Sequence, residues 1–270
     1  MRDALPGLGL SLGIAWLWLG LIVLVPLAAL VIRPWELGPA GVWASLAEPR
    51  VLAALRLSFG AALLAALVDL PIGLLVAWVI TRYRFPGRRL LDAMVDLPFA
   101  LPTAVAGLAL TALYAPNGWL GAPLAALGVK VAFTPLGVAV ALAFVGLPFV
   151  VRSVEPVLRD LAREPEEAAA TLGATRAQTL WRVVLPALAP ALASGAALAF
   201  ARAVGEYGSV IFIAGNTPML SEIAPLLIVG RLEQFDYAGA AALGLAMLLL
   251  SFAILLGFNG LQRRLRRGLA

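Results

Sequence analysis

The chain has 270 residues, 62% of them hydrophobic and 13% charged, with a formal net charge of +5 and a mean hydropathy of +0.98. A soluble domain carries roughly a quarter of charged residues, so this composition places the chain in a membrane. It has no cysteine and no histidine, which removes disulfide staples, thiolate metal sites, the commonest metal ligand and Ser-His-Asp chemistry; the surplus arginines lie in short clusters between apolar blocks, unlike the stripe of a nucleic-acid-binding surface.

The first apolar block, residues 10–32, exceeds the roughly 20 residues a spanning helix needs and the roughly 7–15 of a signal-peptide core, and reads as an uncleaved span. Residues 33–50 hold Pro34, Gly38, Pro39, Gly41 and Pro49, punctuation of a short external connection. A second span over about residues 51–80 contains Arg56 and Asp69, too far apart to pair within one helix. The following loop concentrates Arg82, Arg84, Arg88 and Arg89, a mark of the cytoplasmic side. A third span is expected over about residues 97–114 and a fourth over about 135–151.

The polar stretch that follows has its own local logic. Pro165 suits a first helical turn, Glu166 and Glu167 sit where the helix dipole favours carboxylates, and Ala168, Ala169, Ala170 and Leu172 continue a small, smooth helix. Gly173 is placed to stop it in a left-handed turn, and Thr175 with Gln178 has capping-box spacing for a second helix that runs to Leu185 and Pro186.

A fifth span is expected over about residues 187–214. Within it Ala193, Ala197, Ala201 and Gly205 form a stripe of small side chains suited to close helix packing. Arg202 and Glu206, one turn apart, can pair and lower the insertion cost of either charge, about 2.5–3.5 kcal/mol; the pair is either structural or a contact for an anion crossing the membrane. Gly215, Asn216 and Pro218 break the helix, and residues 223–229 are apolar but too short to span, which suggests a re-entrant or lateral segment on the outer side. A sixth span over about residues 237–258 leads to Arg263, Arg264, Arg266 and Arg267.

Six spans put both termini inside. Arg2, the loop arginines, Arg152, Arg159, Arg163, Arg176, Arg182 and the tail arginines then face the cytoplasm, and only Arg33, Arg50, Lys130 and Arg231 lie outside. The expected fold is thus all-α and polytopic, a single transmembrane domain over residues 1–270 with core spans over about 51–258 and a cytoplasmic loop over 164–186.

That loop carries a specific resemblance. Glu167-Ala168-Ala169, three residues, Gly173, nine residues and Val183-Val184-Leu185-Pro186 resemble the EAA loop by which ABC-importer permeases dock on their ATPase. The segments PFALPTAVAGLALTALYAPNGWLG, KVAFTPLGVAVALAFVGLPFVVRSVEPVL, ARAVGEYGSVIFIAGNTP and EIAPLLIVGRLEQFDYAGA are similar to the T-type permease subunits of sulfate/thiosulfate ABC importers. Molybdate and tungstate permeases share the loop but not the run over residues 222–240, and remain the alternative.

The resemblance implies a type I importer permease with the MetI-like fold in a bacterial inner membrane. It implies a W-type permease partner, two copies of an ATPase that hold ATP and Mg, and an external binding protein that delivers the oxyanion. The coupling residues it implies are Glu166, Glu167, Ala168, Ala169, Leu172, Gly173, Leu185 and Pro186; Arg202, Glu206 and Asn216 are the candidates for the path. The chain has no Gly-x-x-x-x-Gly-Lys-Ser/Thr loop, and no cofactor, metal or catalytic group is expected in it. An ion-coupled secondary transporter, with Asp69 or Glu206 as coupling carboxylate, is the reading from another class; it has no use for an EAA-type loop.

Overall fold

A computed structural model describes residues 8–267. Arg2 lies outside the described residues, as do the side chains of Arg263, Arg264, Arg266 and Arg267. The described chain is helical: α1 (Leu8–Ala47), α2 (Pro49–Arg82), α3 (Arg88–Val95), α4 (Leu97–Ala100), α5 (Thr103–Tyr114), α6 (Gly121–Ala126), α7 (Pro135–Asp160), α8 (Glu164–Thr171), α9 (Arg176–Val204), α10 (Val210–Ile213), α11 (Ala224–Glu233) and α12 (Tyr237–Arg267). Among the described residues five helices, α1, α2, α7, α9 and α12, are long and apolar enough to cross a membrane, and α5 is a shorter apolar helix of 12 residues.

The core is the packing of α2, α7 and α9. Small buried positions recur every three or four residues on two of them, Ala54, Ser58, Ala61, Ala65, Asp69, Gly73 and Ala77 on α2 and Ala191, Gly195, Ala199 and Ala203 on α9, while α7 buries mostly Val and Leu besides Gly137, Ala141 and Gly146. In lipid no hydrophobic effect drives helices together, so close backbone approach and dispersion must do it. Gly73 and Gly195 both face Val150, and a Cβ at either would come within 2.7 Å and 3.0 Å of Val150 atoms.

Two π-helical turns, Gly20–Leu24 and Leu180–Val184, each end just before a proline, Pro26 and Pro186. A proline in a regular helix meets the carbonyl four residues back; widening the preceding turn by one residue relieves that contact. The amides after the two turns, Val25 and Leu185, accordingly donate to carbonyls five residues back.

Several boundaries differ from those expected. Residues 33–50 are not an irregular connection: Arg33–Leu37 is a 3-10 turn and Gly38–Leu46 is helical, so α1 runs on past the first apolar block. Only its C-terminal half packs on α12, and Leu8–Leu19 has no buried residue. The third apolar block is split, because Pro102 has no amide to donate and holds Leu101 extended at ψ 135°. The fifth helix ends at Val204 and not near residue 214; α10 follows as a separate piece wedged against α5 and α7, with the Ser209 carbonyl on Gly107 and the Ile213 carbonyl accepting from Phe133 N at 2.6 Å.

The small-residue stripe is also placed otherwise. The buried face of α9 carries Leu188, Ala191, Gly195, Ala199 and Ala203, while Ala201 and Gly205 are exposed and Ala193 and Ala197 half-buried. Among the described residues the stripe is therefore only partly covered, over Ala193 and Ala197.

Candidate functional site: the arginine-rich end and the fifth helix

The stretch between α7 and the body of α9 folds as its spacing predicts. In α8 the acidic first turn holds Glu164, Glu166 and Glu167 around Pro165. At its C-terminus Gly173 takes φ +82°, its amide donates to Ala170 O at 3.0 Å, and the Ala174 amide donates to Ala169 O at 3.0 Å. Those two bonds constitute a Schellman turn, which satisfies carbonyls the helix end would otherwise leave open. Thr175 then opens α9 with a reciprocal capping box: Thr175 N donates to Gln178 Oε1 at 2.8 Å and Gln178 N to Thr175 Oγ1 at 3.3 Å.

Seven of the eight expected coupling residues divide into two groups. Glu167, Ala168, Leu172 and Gly173 are exposed, and Leu172, an apolar side chain at 88% exposure, stands at the tip. Ala169 is half-covered, and Leu185 and Pro186 are half-buried where α9 re-enters the bundle. Glu166 belongs to neither: its carboxylate accepts from Arg82 Nη2 at 2.7 Å, with both side chains largely covered. This contact latches α8 to the end of α2, and Arg82 is further held over the Trp78 ring at 5.6 Å.

A second arginine organises the base of the stretch. Arg152, near the end of α7, donates to both carboxylate oxygens of Asp96 (2.9 and 2.6 Å), to Asp92 Oδ1 (2.6 Å), to the Asp92 carbonyl (3.1 Å) and to Glu155 Oε2 (2.6 Å). Glu155, 4% exposed, also accepts from Arg159. Bidentate, charge-assisted bonds of this kind fix orientation as well as adding energy. They tie α3 and the α3–α4 junction to the last two turns of α7, immediately before α8. Arg82 and Arg152 were legible in the sequence only as topology markers, because their partners, Glu155 apart, lie 84 and 56–60 residues away.

At the opposite end, Arg50 forms a two-pronged pair with Glu222 (2.7 and 2.7 Å), and Ser58 Oγ accepts from Ala224 N at 2.8 Å. Arg231 donates to Ser45 Oγ, the Gly239 carbonyl and Glu48. The lateral segment expected over residues 215–236 is thus α11 clamped onto α2 and α12.

The expected pair in the fifth span forms, Arg202 Nη1 to Glu206 Oε2 at 2.5 Å, although Glu206 lies past the helix end. Its environment is unequal: the Glu206 side chain is 2% exposed and that of Arg202 35%. Glu206 Oε1 also accepts from Ser209 N and Ser209 Oγ, both at 2.9 Å. The carboxylate therefore holds the turn into α10 besides balancing Arg202. Asn216 sits apart at φ +51° with its buried Oδ1 unpartnered, and no hydrogen bond or ion pair joins it to Arg202 or Glu206 among the described residues. Asp69 is 2% exposed against Gly146, where an added Cβ would fall 2.5 Å from Oδ2. Arg56 is exposed on α2 and pairs with no carboxylate among the described residues.

Residues 69–269 match the model of the family described as binding-protein-dependent transport system inner membrane component. The sulfate transport system permease proteins CysT of Salmonella typhimurium and Escherichia coli are each 51% identical over 266 residues, covering 98% of this chain and 96% of theirs. Among solved structures, the bacterial alginate ABC transporter in complex with alginate pentasaccharide-bound periplasmic protein aligns with a TM-score of 0.78 at 19% identity, covering 95% of this chain and 94% of that one. At that identity the likeness concerns the fold.

Proposed function

The chain belongs to the family of binding-protein-dependent transport system inner membrane components, and from that premise we propose that it is a transmembrane subunit of an ATP-driven sulfate importer. Thiosulfate is proposed as a second cargo. The observation that carries this reading is the 51% identity to sulfate permeases over 98% of the chain. The exposed, acidic-headed α8 with its Schellman stop supplies the part an importer needs at its motor. Hydrolysis belongs to two copies of a separate ATPase that hold ATP and Mg, and a W-type permease completes the path. An external binding protein delivers the anion.

In this reading the arginine-rich end faces the cytoplasm together with both termini. The ATPase takes the face of Glu167, Ala168 and Leu172 in a groove. Closure of the ATPase dimer shifts α8, Gly173 absorbs the change of direction into α9, and the Arg82–Glu166 contact carries the shift to α2. The spans then alternate between inward- and outward-facing packings. Arg202 and Glu206 serve chiefly to hold the turn into α10, and selection of the dianion rests with the external protein.

The test is uptake of labelled sulfate, thiosulfate and molybdate in a strain lacking the gene, with and without its restoration. Restored sulfate uptake together with co-purification of an ATPase is expected. Restored molybdate uptake alone would assign the chain to the other oxyanion class, and uptake with no associated ATPase would point to a secondary transporter.

A further inference from the structure

Beside the coupling stretch lies a groove of about 1160 Å³, walled by the last three turns of α2 with residues 83–85 on one side and by Glu166 with residues 170–185 on the other. Its body is apolar: Leu74, Leu75 and Trp78 face Leu180, Trp181 and Val184. Leu75 and Trp181 are 63% and 70% exposed, so the groove opens sideways to its surroundings. Along α2 it reaches back to Pro71, eleven residues from Arg82, a depth of about 16 Å at 1.5 Å per residue, close to the ~15 Å half-thickness of a bilayer's hydrocarbon core. A soluble protein docked at the surface does not reach that depth, whereas an acyl chain does.

The mouth has the opposite character. Arg84 and Arg176 line it, and neither is paired with a carboxylate among the described residues. The single acidic group on the wall, Glu166, is already taken by Arg82. A shallower depression of about 340 Å³ adjoins the mouth, shares Arg84 and Phe85 with it and adds Arg88 and Arg89. Tyr83 lines the mouth as well, an aromatic of the kind that anchors at a membrane–water boundary. An apolar trough one leaflet deep beneath uncompensated arginines matches an amphiphile with acyl chains and an anionic head.

We propose that this groove binds an anionic glycerophospholipid of the cytoplasmic leaflet, with its chains along Leu75 and Trp181 and its phosphate on Arg84 and Arg176. The lipid touches both α2 and the stretch that moves with the ATPase, so its occupancy changes with the conformational cycle and its chemistry sets how readily the cycle turns. The inference uses the membrane orientation given above but is independent of the anion carried.

The experiment takes the assembled transporter, purified in detergent and supplied with phosphatidylglycerol or phosphatidylcholine, and measures lipid retained by native mass spectrometry. Binding-protein-stimulated ATP hydrolysis is read in parallel in bilayer discs of the two compositions. The intact protein should retain phosphatidylglycerol preferentially and hydrolyse faster in discs that contain it. Arg84→Gln with Arg176→Gln should weaken retention about thirty-fold, since each arginine near an anionic surface contributes about a factor of five. Leu75→Trp, which fills the trough without changing charge, should also lower retention. Co-purification of the subunits checks assembly, and if Leu75→Trp fails to assemble the arginine variant, confined to exposed side chains, decides. Equal retention of the two lipids, or unchanged retention in the arginine variant, would overturn the proposal. So would a photocrosslinker at Leu75 that captures the ATPase or the other permease in place of lipid.

Discussion

Removing Arg202 should damage the protein far more than removing its partner, and the asymmetry follows from burial. In Arg202→Leu the Glu206 carboxylate, 2% exposed, is left with only the two Ser209 bonds. Breaking a buried pair from one side costs about 3–5 kcal/mol, and the surviving bonds place this case near the lower figure. That is a large share of the roughly 5–15 kcal/mol that holds a domain folded. In Glu206→Leu the arginine, 35% exposed, is not enclosed and its long side chain can snorkel toward the helix end, and the principal loss is the acceptor for Ser209 N–H, about 1–2 kcal/mol. The double Leu variant removes the stranded charge and should resemble Glu206→Leu, and Glu206→Gln, which keeps an acceptor, should be milder still. The assay is the yield of monodisperse transporter co-purified with its ATPase, with sulfate uptake measured on the same strains. If Arg202→Leu assembled as well as the parent, the account of burial would be wrong. If the double variant assembled fully and carried no sulfate, Arg202 would have a role in the path that its hydrogen bonds do not explain.

Gly173→Val should lower the sulfate imported per ATP hydrolysed while leaving insertion intact. No atom lies within 4 Å of the would-be Cβ, so the penalty is the backbone's, about 1–2 kcal/mol at φ +82°, and Gly173→Asn should recover most of the coupling. Arg82→Glu should release α8 and weaken binding-protein-stimulated hydrolysis, and Arg82→Glu combined with Glu166→Arg should restore it; failure of the exchange to restore would show that the 2.7 Å contact is incidental. With no native cysteine as background, Ala177→Cys should resist an impermeant thiol reagent applied to intact cells and react once the membrane is opened; labelling from outside would invert the orientation.

What could be read from the sequence was what depends on neighbours in the chain. The Schellman stop at Gly173 and the Thr175–Gln178 box are satisfied within six residues, so composition and spacing suffice for them. The apolar blocks were visible for the same reason. Their ends were not, because prolines act differently according to what surrounds them: Pro102 breaks its helix, Pro71 and Pro148 sit inside theirs, and Pro186 is absorbed by a π turn. The outward face of the Ala193–Gly205 stripe could not be told from the buried one, since α9 is alanine-rich on both. The pairings of Arg82, Arg152, Arg50 and Arg231 join positions brought together only by the fold.

The placement of these contacts bears on which helix would receive a displacement of α8 if, as proposed, an ATPase docks there. α7 ends in the Arg152–Asp92–Asp96–Glu155 cluster, which anchors its last turns to α3 and leaves little freedom there. Between Asp160 and α8 only residues 161–163 are non-helical, and beyond α8 the chain turns at Gly173. So α8 is a rigid piece of about 12 Å with a joint at each end. Its link to the body of α9 passes through the Schellman turn and then, within α9, the π turn over Leu180–Val184, where regular hydrogen bonding is interrupted. Its link to α2 is a charge-assisted bond of 2.7 Å from a helix that continues unbroken for 34 residues. A displacement of α8 therefore has two routes into the bundle, along the chain into α9 and through the Arg82–Glu166 pair into α2. Because α2 and α9 both pack on α7, a shift delivered to one of them alone must slide it past Val150, which Gly73 of α2 and Gly195 of α9 both face with no side chain of their own to obstruct the movement.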